Sequence, residues 1–244
     1  MQAQALVGGE LSNEQSETLD ALAARRAARE PLQHLTGVAY FRQLELSVGR
    51  GVFVPRPETE SLAQLAIDAL IAAPTDKPIG IDLGTGSGAI ALSMAVEVPR
   101  AKIYAVEKSI DAFPFTRKNF ESYEYTGAEL RLGDLSDEYT ELDGTLDVVA
   151  SNPPYIPLAA VPRDPEVRDF DPDLALYGGE DGMTVIRLVS STAWRLLKPG
   201  GYLVIEHADQ QGEQVRGLLL ADGWRDVRQH QDLTGRDRSV SAIK

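Results

Sequence analysis

The sequence predicts an α/β protein whose mostly parallel sheet is covered by helices on both faces. From Pro57 onward, apolar runs of strand length alternate with helical patterns, as in parallel sheets with helical crossovers. The run Ile79–Leu83 leads into a glycine-rich turn and an apolar helical stretch, which is the usual start of a doubly wound sheet. Seven strands are predicted, near residues 79–83, 102–107, 128–133, 146–151, 201–206, 224–231 and 238–243. The last two are expected to form an antiparallel edge of the sheet.

Residues 1–37 are predicted to form a short N-terminal helical region with one clear helix, near residues 12–29. Ser12 and Gln15 have the spacing of a capping box at the start of this helix. A single helix cannot bury a core of its own, so its apolar face is expected to pack on the rest of the protein. That face carries Leu19, Leu22 and Ala23.

Residues 38–56 are predicted to be a β-hairpin that links the helical region to a single α/β domain, residues 57–244. Glycines at both ends of residues 49–51 favour a turn at that point, with a strand on either side. Later in the chain, residues 156–173 are rich in proline and charge, and the length of this loop marks it as a candidate lid.

Composition excludes several classes of protein. The chain has 244 residues, no cysteine and a net charge of −13, so disulfides and thiolate metal sites are excluded. No apolar run approaches the length of a membrane span, and residues 1–10 lack the pattern of a signal peptide, so a cytoplasmic protein is expected. Nucleic-acid enzymes usually carry a basic surface, and the acidic balance of this chain favours a protein substrate.

The glycine-rich turn predicts a nucleotide-type cofactor site. Glycines allow the backbone to bend tightly and to approach a ligand closely. Glu107 ends the next strand, about 20 residues further on, where a carboxylate can accept hydrogen bonds from ribose hydroxyls. The turn also fits the dinucleotide pattern with Ala89 at its third position, so on this evidence alone a nicotinamide enzyme stays open. The turn reads Gly84-Thr85-Gly86-Ser87-Gly88 and is preceded by Asp82.

A second motif, Asn152-Pro153-Pro154-Tyr155, follows the apolar run Leu146–Ser151. Each proline fixes its own φ and pushes the preceding residue toward extended geometry, so Asn152 and Pro153 are both held extended. The Asn152 amide oxygen and the Pro153 carbonyl are then two rigid acceptors, and Tyr155 is a flat wall beside them. Such a site suits a planar –NH2 group that is held by both hydrogens and leaves one face open to attack.

Together, the two motifs resemble those of S-adenosylmethionine-dependent methyltransferases that act on amino groups. A third segment narrows the resemblance, because Pro55-Arg56-Pro57-Glu58-Thr59-Glu60 is similar to a segment of the protein-(glutamine-N5) methyltransferases of peptide-chain release factors, the HemK/PrmC family. The similarity runs from about Arg29 to the C-terminus and includes residues 175–182, 198–201 and 232–238. The chain departs from the family in its shorter N-terminal region and in Glu107, where aspartate is more common.

The resemblance implies a Rossmann-like, seven-stranded methyltransferase fold and methyl transfer from S-adenosylmethionine to the glutamine of a Gly-Gly-Gln loop, without a metal. The implied partner is a release factor, with neither nucleic acid nor a membrane. Asn152 and Pro153 would hold the reacting amide and Tyr155 would pack on it, and all three are the implied catalytic residues. Substrate contacts would also include Pro154 and Phe53. The implied cofactor-binding residues are Asp82, Gly84, Thr85, Gly86, Ser87, Gly88, Glu107, Asp134, Leu135 and Asn152.

Three other functions stay open on the sequence. An N6-adenine or guanine-N2 nucleic-acid methyltransferase shares the glycine turn and the Asn-Pro-Pro-Tyr motif, but not the Pro-Arg-Pro-Glu-Thr-Glu segment. A cofactor-binding protein without catalysis is the alternative outside the enzymes. An NAD-linked oxidoreductase is the most distant of the three.

Overall fold

A seven-stranded sheet and a separate hairpin organise the computed structural model, which describes residues 11–244. The helices are α1 (Asn13–Ala27), α2 (Leu32–Thr36), α3 (Thr59–Ala72), α4 (Ala89–Glu97), α5 (Phe113–Ser122), α6 (Pro165–Phe170), α7 (Asp173–Leu176), α8 (Thr184–Leu196) and α9 (Gly212–Ala221). The strands are β1 (Val38–Phe41), β2 (Leu44–Ser47), β3 (Ile79–Leu83), β4 (Lys102–Glu107), β5 (Glu129–Leu132), β6 (Leu146–Ser151), β7 (Leu197–Glu206), β8 (Arg225–Gln231) and β9 (Asp237–Ile243). Residues 1–10, on which the predicted absence of a signal peptide rests, lie outside the described part.

The strand order in the large sheet is β5-β4-β3-β6-β7-β9-β8. Strands β3 to β7 pair in parallel, and β9 runs antiparallel to both of its neighbours. This confirms the predicted Rossmann-like sheet with an antiparallel C-terminal edge. The order reverses between β3 and β6, and in open α/β sheets ligands bind outside the carboxyl ends of the strands at such a point.

Apolar residues fill both faces of the sheet. Strand β6 is buried at all six of its positions, as expected for a central parallel strand covered on both sides. Helix α4 is buried over its first seven residues because it packs between the sheet and the hairpin. Helix α8 covers the opposite face with Ile186, Val189 and Leu196. The two layers fix the ends of β3, β4 and β6 relative to one another.

The hairpin is real, but its turn lies elsewhere than predicted. Strands β1 and β2 pair from Val38 with Ser47 to Phe41 with Leu44, so the turn is at Arg42, whose φ is +51°. Residues 49–52 do form a turn, in which the Val52 N–H donates to the Gly49 carbonyl at 3.3 Å. This turn follows β2 and does not join the two paired strands, so its predicted place in the hairpin was wrong. These residues run past α5, where a Cβ on Gly49 would lie 2.7 Å from the Phe115 ring. The glycines there permit a close approach of two segments.

Helix α1 has the predicted cap but not the predicted packing. The Gln15 N–H donates to Ser12 Oγ at 3.2 Å and the Ser12 N–H donates to Gln15 Oε1 at 2.9 Å, which confirms the capping box. No residue of α1 is buried, and Leu19 is 46% exposed. Of the predicted apolar face, Leu22 is half-buried and Ala23 is exposed, so this face contributes little to the core. The helical region contacts the α/β domain through ion pairs from Arg26 and Arg29 to Glu166 of α6.

Within residues 11–244, no helix combines the length and apolar character needed to cross a bilayer.

Candidate active site

The carboxyl ends of β3, β4 and β6 open into a cavity of about 330 Å³. Its volume is within the range of small-molecule sites. Eleven of the residues predicted from the sequence line it, namely Phe53, Gly84, Thr85, Gly86, Ser87, Glu107, Asp134, Leu135, Asn152, Pro154 and Tyr155. The sheet topology therefore brings the glycine turn, the Asn-Pro-Pro-Tyr motif and the segment before α3 to one place. Asp82, Gly88 and Pro153 are predicted site residues that do not line the cavity wall.

The glycine turn is fixed by the elements around it. The N–H groups of Gly84 and Thr85 both donate to the Val106 carbonyl on β4, at 3.0 and 2.9 Å. From α5, Thr116 Oγ1 donates to the Gly86 carbonyl at 2.5 Å and Asn119 Nδ2 donates to the Ser87 carbonyl at 2.8 Å. Gly84 and Gly86 both have positive φ, 75° and 56°, which glycine adopts without strain. The loop is thus a stable wall before any ligand arrives.

Asp82 holds this turn from below. It is fully buried, and its Oδ2 accepts hydrogen bonds from Thr85 Oγ1 at 2.6 Å and from the Ala91 N–H at 3.2 Å. Burial raises its pKa from 3.8 to about 7, and the two hydrogen bonds offset part of that rise. Asp82 therefore fixes the shape of the glycine turn from within the core.

Glu107 lies on the cavity wall and is already engaged by two backbone donors. Its Oε2 accepts from the Gly86 N–H at 2.8 Å and its Oε1 accepts from the Ser109 N–H at 2.7 Å. Burial raises the pKa of this carboxyl, and the backbone donors act in the opposite direction. Each carboxylate oxygen can accept a further hydrogen bond, so Glu107 can still bind hydroxyl groups of a ligand.

Asp134 is engaged mainly in its own turn. Its Oδ1 accepts from the Ser136 N–H at 3.0 Å, and Lys108 Nζ lies 2.7 Å from its Oδ2. These contacts, the lysine first, lower the pKa of Asp134 to about 2. The neighbouring Leu135 presents an apolar side chain to the cavity. This part of the cavity wall is therefore better suited to covering a flat ring with Leu135 than to binding a ligand directly through Asp134.

At the end of β6, Asn152 presents one side of its amide to the protein and the other to the cavity. Its Nδ2 donates to Thr59 Oγ1 of α3 at 3.2 Å. Among residues 11–244, neither Asn152 Oδ1 nor the Pro153 carbonyl accepts a hydrogen bond. Tyr155 lies beside them, and burial raises the pKa of its hydroxyl well above the ordinary value. Two acceptors without partners therefore follow the end of β6, and of these two residues Asn152 lines the cavity.

Two glycines hold the motif in place. A Cβ on Gly178 would lie 2.5 Å from the Pro154 carbonyl, and one on Gly182 would lie 2.3 Å from the Tyr155 carbonyl. Gln211 also donates to the Tyr155 carbonyl at 3.0 Å. The sequence pattern of residues 178–182 predicts a turn before α8. Here that loop lies directly against the backbone of the candidate catalytic motif.

The candidate lid, residues 156–173, folds over the cavity and contains α6. Val167 and Pro172 line the cavity from this side, as do residues of α7. Arg56 joins the lid to the segment before α3, because its Nη2 lies 2.6 Å from Asp171 Oδ2 while its guanidinium lies 4.9 Å from the centre of the Phe53 ring. Arg56 therefore fixes both the lid and the aromatic wall.

Comparison with known proteins identifies the class of enzyme. A protein of Streptomyces coelicolor named release factor glutamine methyltransferase is 55% identical over 223 residues, which cover 91% of this chain and 78% of the relative. The chain belongs to the release factor glutamine methyltransferase family. This assignment confirms the predicted class, an S-adenosylmethionine-dependent protein methyltransferase.

A solved structure and a second relative show how similar this chain is to other methyltransferases. The crystal structure of the release factor-specific protein-(glutamine-N5) methyltransferase of Alicyclobacillus acidocaldarius shares 27% identity, with a TM-score of 0.50 over 81% of this chain and 98% of that chain. A Streptomyces pristinaespiralis enzyme named 4-amino-L-phenylalanine/4-methylamino-L-phenylalanine methyltransferase is 42% identical over 82% of this chain and 68% of the relative. The same framework therefore also occurs in a relative named for an aromatic amine.

Family models match two separate parts of the chain. The model described as the PrmC N-terminal domain matches residues 3–37, and the one described as the methyltransferase small domain matches residues 47–161. The second match includes the glycine turn and the whole Asn-Pro-Pro-Tyr motif.

Proposed function

We propose that this protein transfers the methyl group of S-adenosylmethionine to the side-chain amide nitrogen of the glutamine in the Gly-Gly-Gln loop of peptide-chain release factors. The observation that carries the proposal is the pair of acceptors without partners, Asn152 Oδ1 and the Pro153 carbonyl, beside a glycine-lined cavity. The names of the relatives supply the glutamine substrate.

The cavity fits S-adenosylmethionine, which when bound supplies an electrophilic methyl group on a sulfonium. The turn of residues 84–88 would lie against the cofactor, with backbone close enough for contact because of its glycines. Glu107 would accept hydrogen bonds from ribose hydroxyls, and Leu135 would cover the adenine ring beside Asp134. Asp82 would act from beneath the turn. This division of roles gives no step to a metal ion.

The chain would act by positioning the glutamine amide. An amide nitrogen is a poor nucleophile because its lone pair is delocalised into the carbonyl. With one N–H donated to Asn152 Oδ1 and the other to the Pro153 carbonyl, the amide is fixed with its nitrogen toward the cavity. Tyr155, Pro154 and Phe53 would close the remaining sides. Orientation of this kind can supply roughly 7–11 kcal/mol, and the two acceptors stabilise positive charge that develops on nitrogen.

The test is methyl transfer with a radiolabelled methyl donor and a purified release factor. We expect label in the release factor and none in the same factor with the glutamine of its Gly-Gly-Gln loop changed to alanine. Label in DNA or RNA alone would favour the nucleic-acid alternative.

A second candidate substrate is an aromatic amine, favoured by the relative named for 4-amino-L-phenylalanine. An arylamine also carries an –NH2 group with two hydrogens, which the same acceptor pair could hold. 4-Amino-L-phenylalanine is therefore the matched competitor in the assay. Transfer to it at a higher kcat/KM than to the release factor would overturn the glutamine assignment.

We further propose that the chain is organised as an N-terminal helical region (residues 1–37), a hairpin linker (residues 38–56) and a catalytic domain (residues 57–244). The first region would help to dock the release factor. The net charge of −13 supports a protein partner and disfavours nucleic acid or an anionic membrane. Translation factors are the proposed partners, so the cytoplasm is the proposed place of action. Removal of residues 1–37 is expected to raise KM for the release factor and leave cofactor affinity unchanged.

A further inference from the structure

One buried carboxylate behind the site has no part in the functions described so far. Glu206 ends β7 and is only 1% exposed. Strands β6 and β7 pair in register, with Ser151 opposite Ile205, so the next position along each strand brings Glu206 beside Asn152. Its Oε2 is buried and has no hydrogen-bond partner among the described residues. A buried acceptor of this kind is costly, and its presence at this point calls for a functional explanation.

The neighbours of Glu206 belong to the candidate catalytic motif. Thr59 and Asn152 both lie beside this carboxylate, and their polar side chains stabilise its charged form and so lower its pKa. The same Thr59 hydroxyl accepts from Asn152 Nδ2 at 3.2 Å. Thr59 is itself buried, at 4% exposure. Asn152, Thr59 and Glu206 therefore form one connected polar group with the cavity on its outer side.

This group decides which way the Asn152 amide faces. A carboxylate accepts hydrogen bonds and donates none when ionised, so it favours the –NH2 end of the amide on its own side. Oδ1 then points away from Glu206. If the amide turned over, Oδ1 would face the carboxylate, and Nδ2 would face the two hydrogens of the incoming amino group. The orientation needed for substrate binding is therefore the one that Glu206 stabilises.

We propose that Glu206 is a positioning residue for methyl transfer, which acts through Thr59 and Asn152 to hold Asn152 Oδ1 toward the acceptor amine. The inference builds on the proposed function but names no particular amine. The negative charge behind the amide also makes Oδ1 a stronger acceptor, because chains of hydrogen bonds polarise one another. That effect matters most as positive charge develops on the methylated nitrogen.

Charged and titratable groups surround this carboxylate on several sides. Burial raises the pKa of Glu206 to about 7, and the charge of Glu58 adds to the rise. Arg238 of β9 lowers it, as do Thr59 and Asn152. Tyr155 is the remaining titratable neighbour, and the charges of Glu206 and Arg238 both affect the pKa of its hydroxyl. Glu206 therefore changes its ionisation near neutral pH, and the orienting effect on Asn152 is strongest above that point.

The test compares Glu206→Gln with Glu213→Gln, a control on the exposed face of α9. The new amide can offer its –NH2 group to Asn152 and so favour the wrong orientation. We expect kcat of Glu206→Gln to fall up to about 100-fold, the loss that a displacement of about 1 Å can cause. Affinity for S-adenosylhomocysteine, measured by calorimetry, should stay within threefold. Wild type and Glu213→Gln should show kcat rising between pH 6 and 8, and Glu206→Gln should not.

A second pair of variants covers the case in which Glu206→Gln does not fold. Thr59→Ser keeps the hydroxyl and is expected to retain kcat within about threefold, whereas Thr59→Val should lose it as Glu206→Gln does. A kcat of Glu206→Gln within twofold of wild type, with the same pH profile, would overturn the proposal. Equal activity of Thr59→Ser and Thr59→Val would do so as well.

A readout without substrate separates this inference from the proposed function. The side-chain ¹⁵N resonance of Asn152 should shift as Glu206 titrates near pH 7, and the shift should be absent in Glu206→Gln. This result holds even if the wild-type enzyme methylates no release factor. A resonance that does not move with pH in the wild type would overturn the positioning role.

Discussion

Asn152 is proposed both to hold the substrate amide and to contact the cofactor, and a substitution can separate its effect on turnover from its effect on cofactor affinity. Replacement by alanine removes one acceptor for the substrate amide but leaves the glycine turn and Glu107 intact. We expect Asn152→Ala to lower kcat by about 10²–10³-fold, the usual cost of removing one electrostatic partner of the transition state. Cofactor affinity from calorimetry should remain within a few-fold, as in the exposed control Asn13→Ala. Equal losses in turnover and in cofactor affinity would contradict this division of roles.

Gly182 is a residue whose missing side chain matters. A methyl group there would lie 2.3 Å from the Tyr155 carbonyl, and the φ of +74° already disfavours other residues. We expect Gly182→Ala to cost about 1–3 kcal/mol of stability through overpacking and strain and to lower kcat, because the Asn-Pro-Pro-Tyr backbone must shift. Thermal unfolding and steady-state assays measure both.

The matched control for this variant is Gly217→Ala in α9, where nothing lies within 4 Å of the added methyl group. It should raise stability by about 0.5–1 kcal/mol, since glycine is unfavourable inside a helix. Similar losses in both variants would mean that contact with Tyr155 is unimportant.

Single residues also mark the limit of sequence reasoning. Asn152 could be singled out because two prolines follow it, and Glu107 because it ends a strand after a glycine turn. Glu206 also ends an apolar strand, as Glu107 does, so its position in the sequence could have marked it as a candidate site residue. Its partner Thr59 lies 93 positions from Asn152 along the chain, and a contact over that distance depends on how α3 packs on the sheet.

Among the elements, the hairpin shows why a turn can be misplaced. Glycine is the strongest local signal for a turn, and residues 49–51 carry two. In the structure the hairpin turns at Arg42, which takes the left-handed conformation. Residues 49–52 form a separate turn after β2, in which Gly51 has a φ of +100° and a Cβ on it would lie 3.0 Å from Asp111. Glycines therefore predicted a turn correctly, but only the tertiary structure shows which turn joins the two paired strands.

Helix α1 has a strong cap but buries no residue, so loss of the cap should remain local. A cap of this type contributes about 1 kcal/mol to its helix. We expect Ser12→Ala to speed hydrogen exchange of the amides at residues 15–18 by roughly fivefold, with no change in the main thermal transition. A lowered melting temperature would show that α1 is packed more firmly than its exposure implies.

At the scale of the whole molecule, buried carboxylates govern how stability depends on pH. The pKa values of Asp82, Asp171 and Glu206 are raised to about 7, 6 and 7, so the folded state binds more protons than the unfolded state between about pH 4 and 7. Stability from these groups falls as pH rises through that window. Asp134 and Asp232, lowered to about 2, stabilise the fold above pH 4 and lose this effect in stronger acid.

Burial lowers the pKa values of His34, His207 and His230, which opposes this decline as the pH rises toward 6.5. Since the carboxyl groups act over a wider pH range, we expect the free energy of unfolding to be greatest near pH 4–5 and to decline toward pH 8. Urea titrations at a series of pH values measure it. Asp82→Asn, which keeps an oxygen for Thr85 and for the Ala91 N–H, should flatten the decline. A stability that increases steadily from pH 5 to 8 would contradict the prediction.

The sheet as a whole was the easiest part to predict. Its central strands, such as β3 and β6, are apolar runs that are buried along their length, and burial of this kind leaves a clear pattern in the local sequence. The edge strands β5 and β8 contain many polar residues and no buried position, so their prediction depended on the alternation of elements along the chain. The packing of α1 was harder to predict, because a narrow apolar stripe does not specify what it contacts. The ionic contact between α1 and α6 joins segments 140 positions apart and leaves no local signal.

The cavity has two walls of different origin, and this difference bears on how such enzymes acquire new substrates. One wall consists of strand ends and a glycine turn that share the central hydrogen-bonded framework, whereas the other is a loop closed mainly by Arg56 and Asp171. Val167 and Leu174 line the cavity from this loop side. Substitutions at these two positions should therefore alter selectivity between glutamine and aromatic amines and leave methyl transfer itself intact. Directed evolution toward new amines is best begun on that side of the pocket.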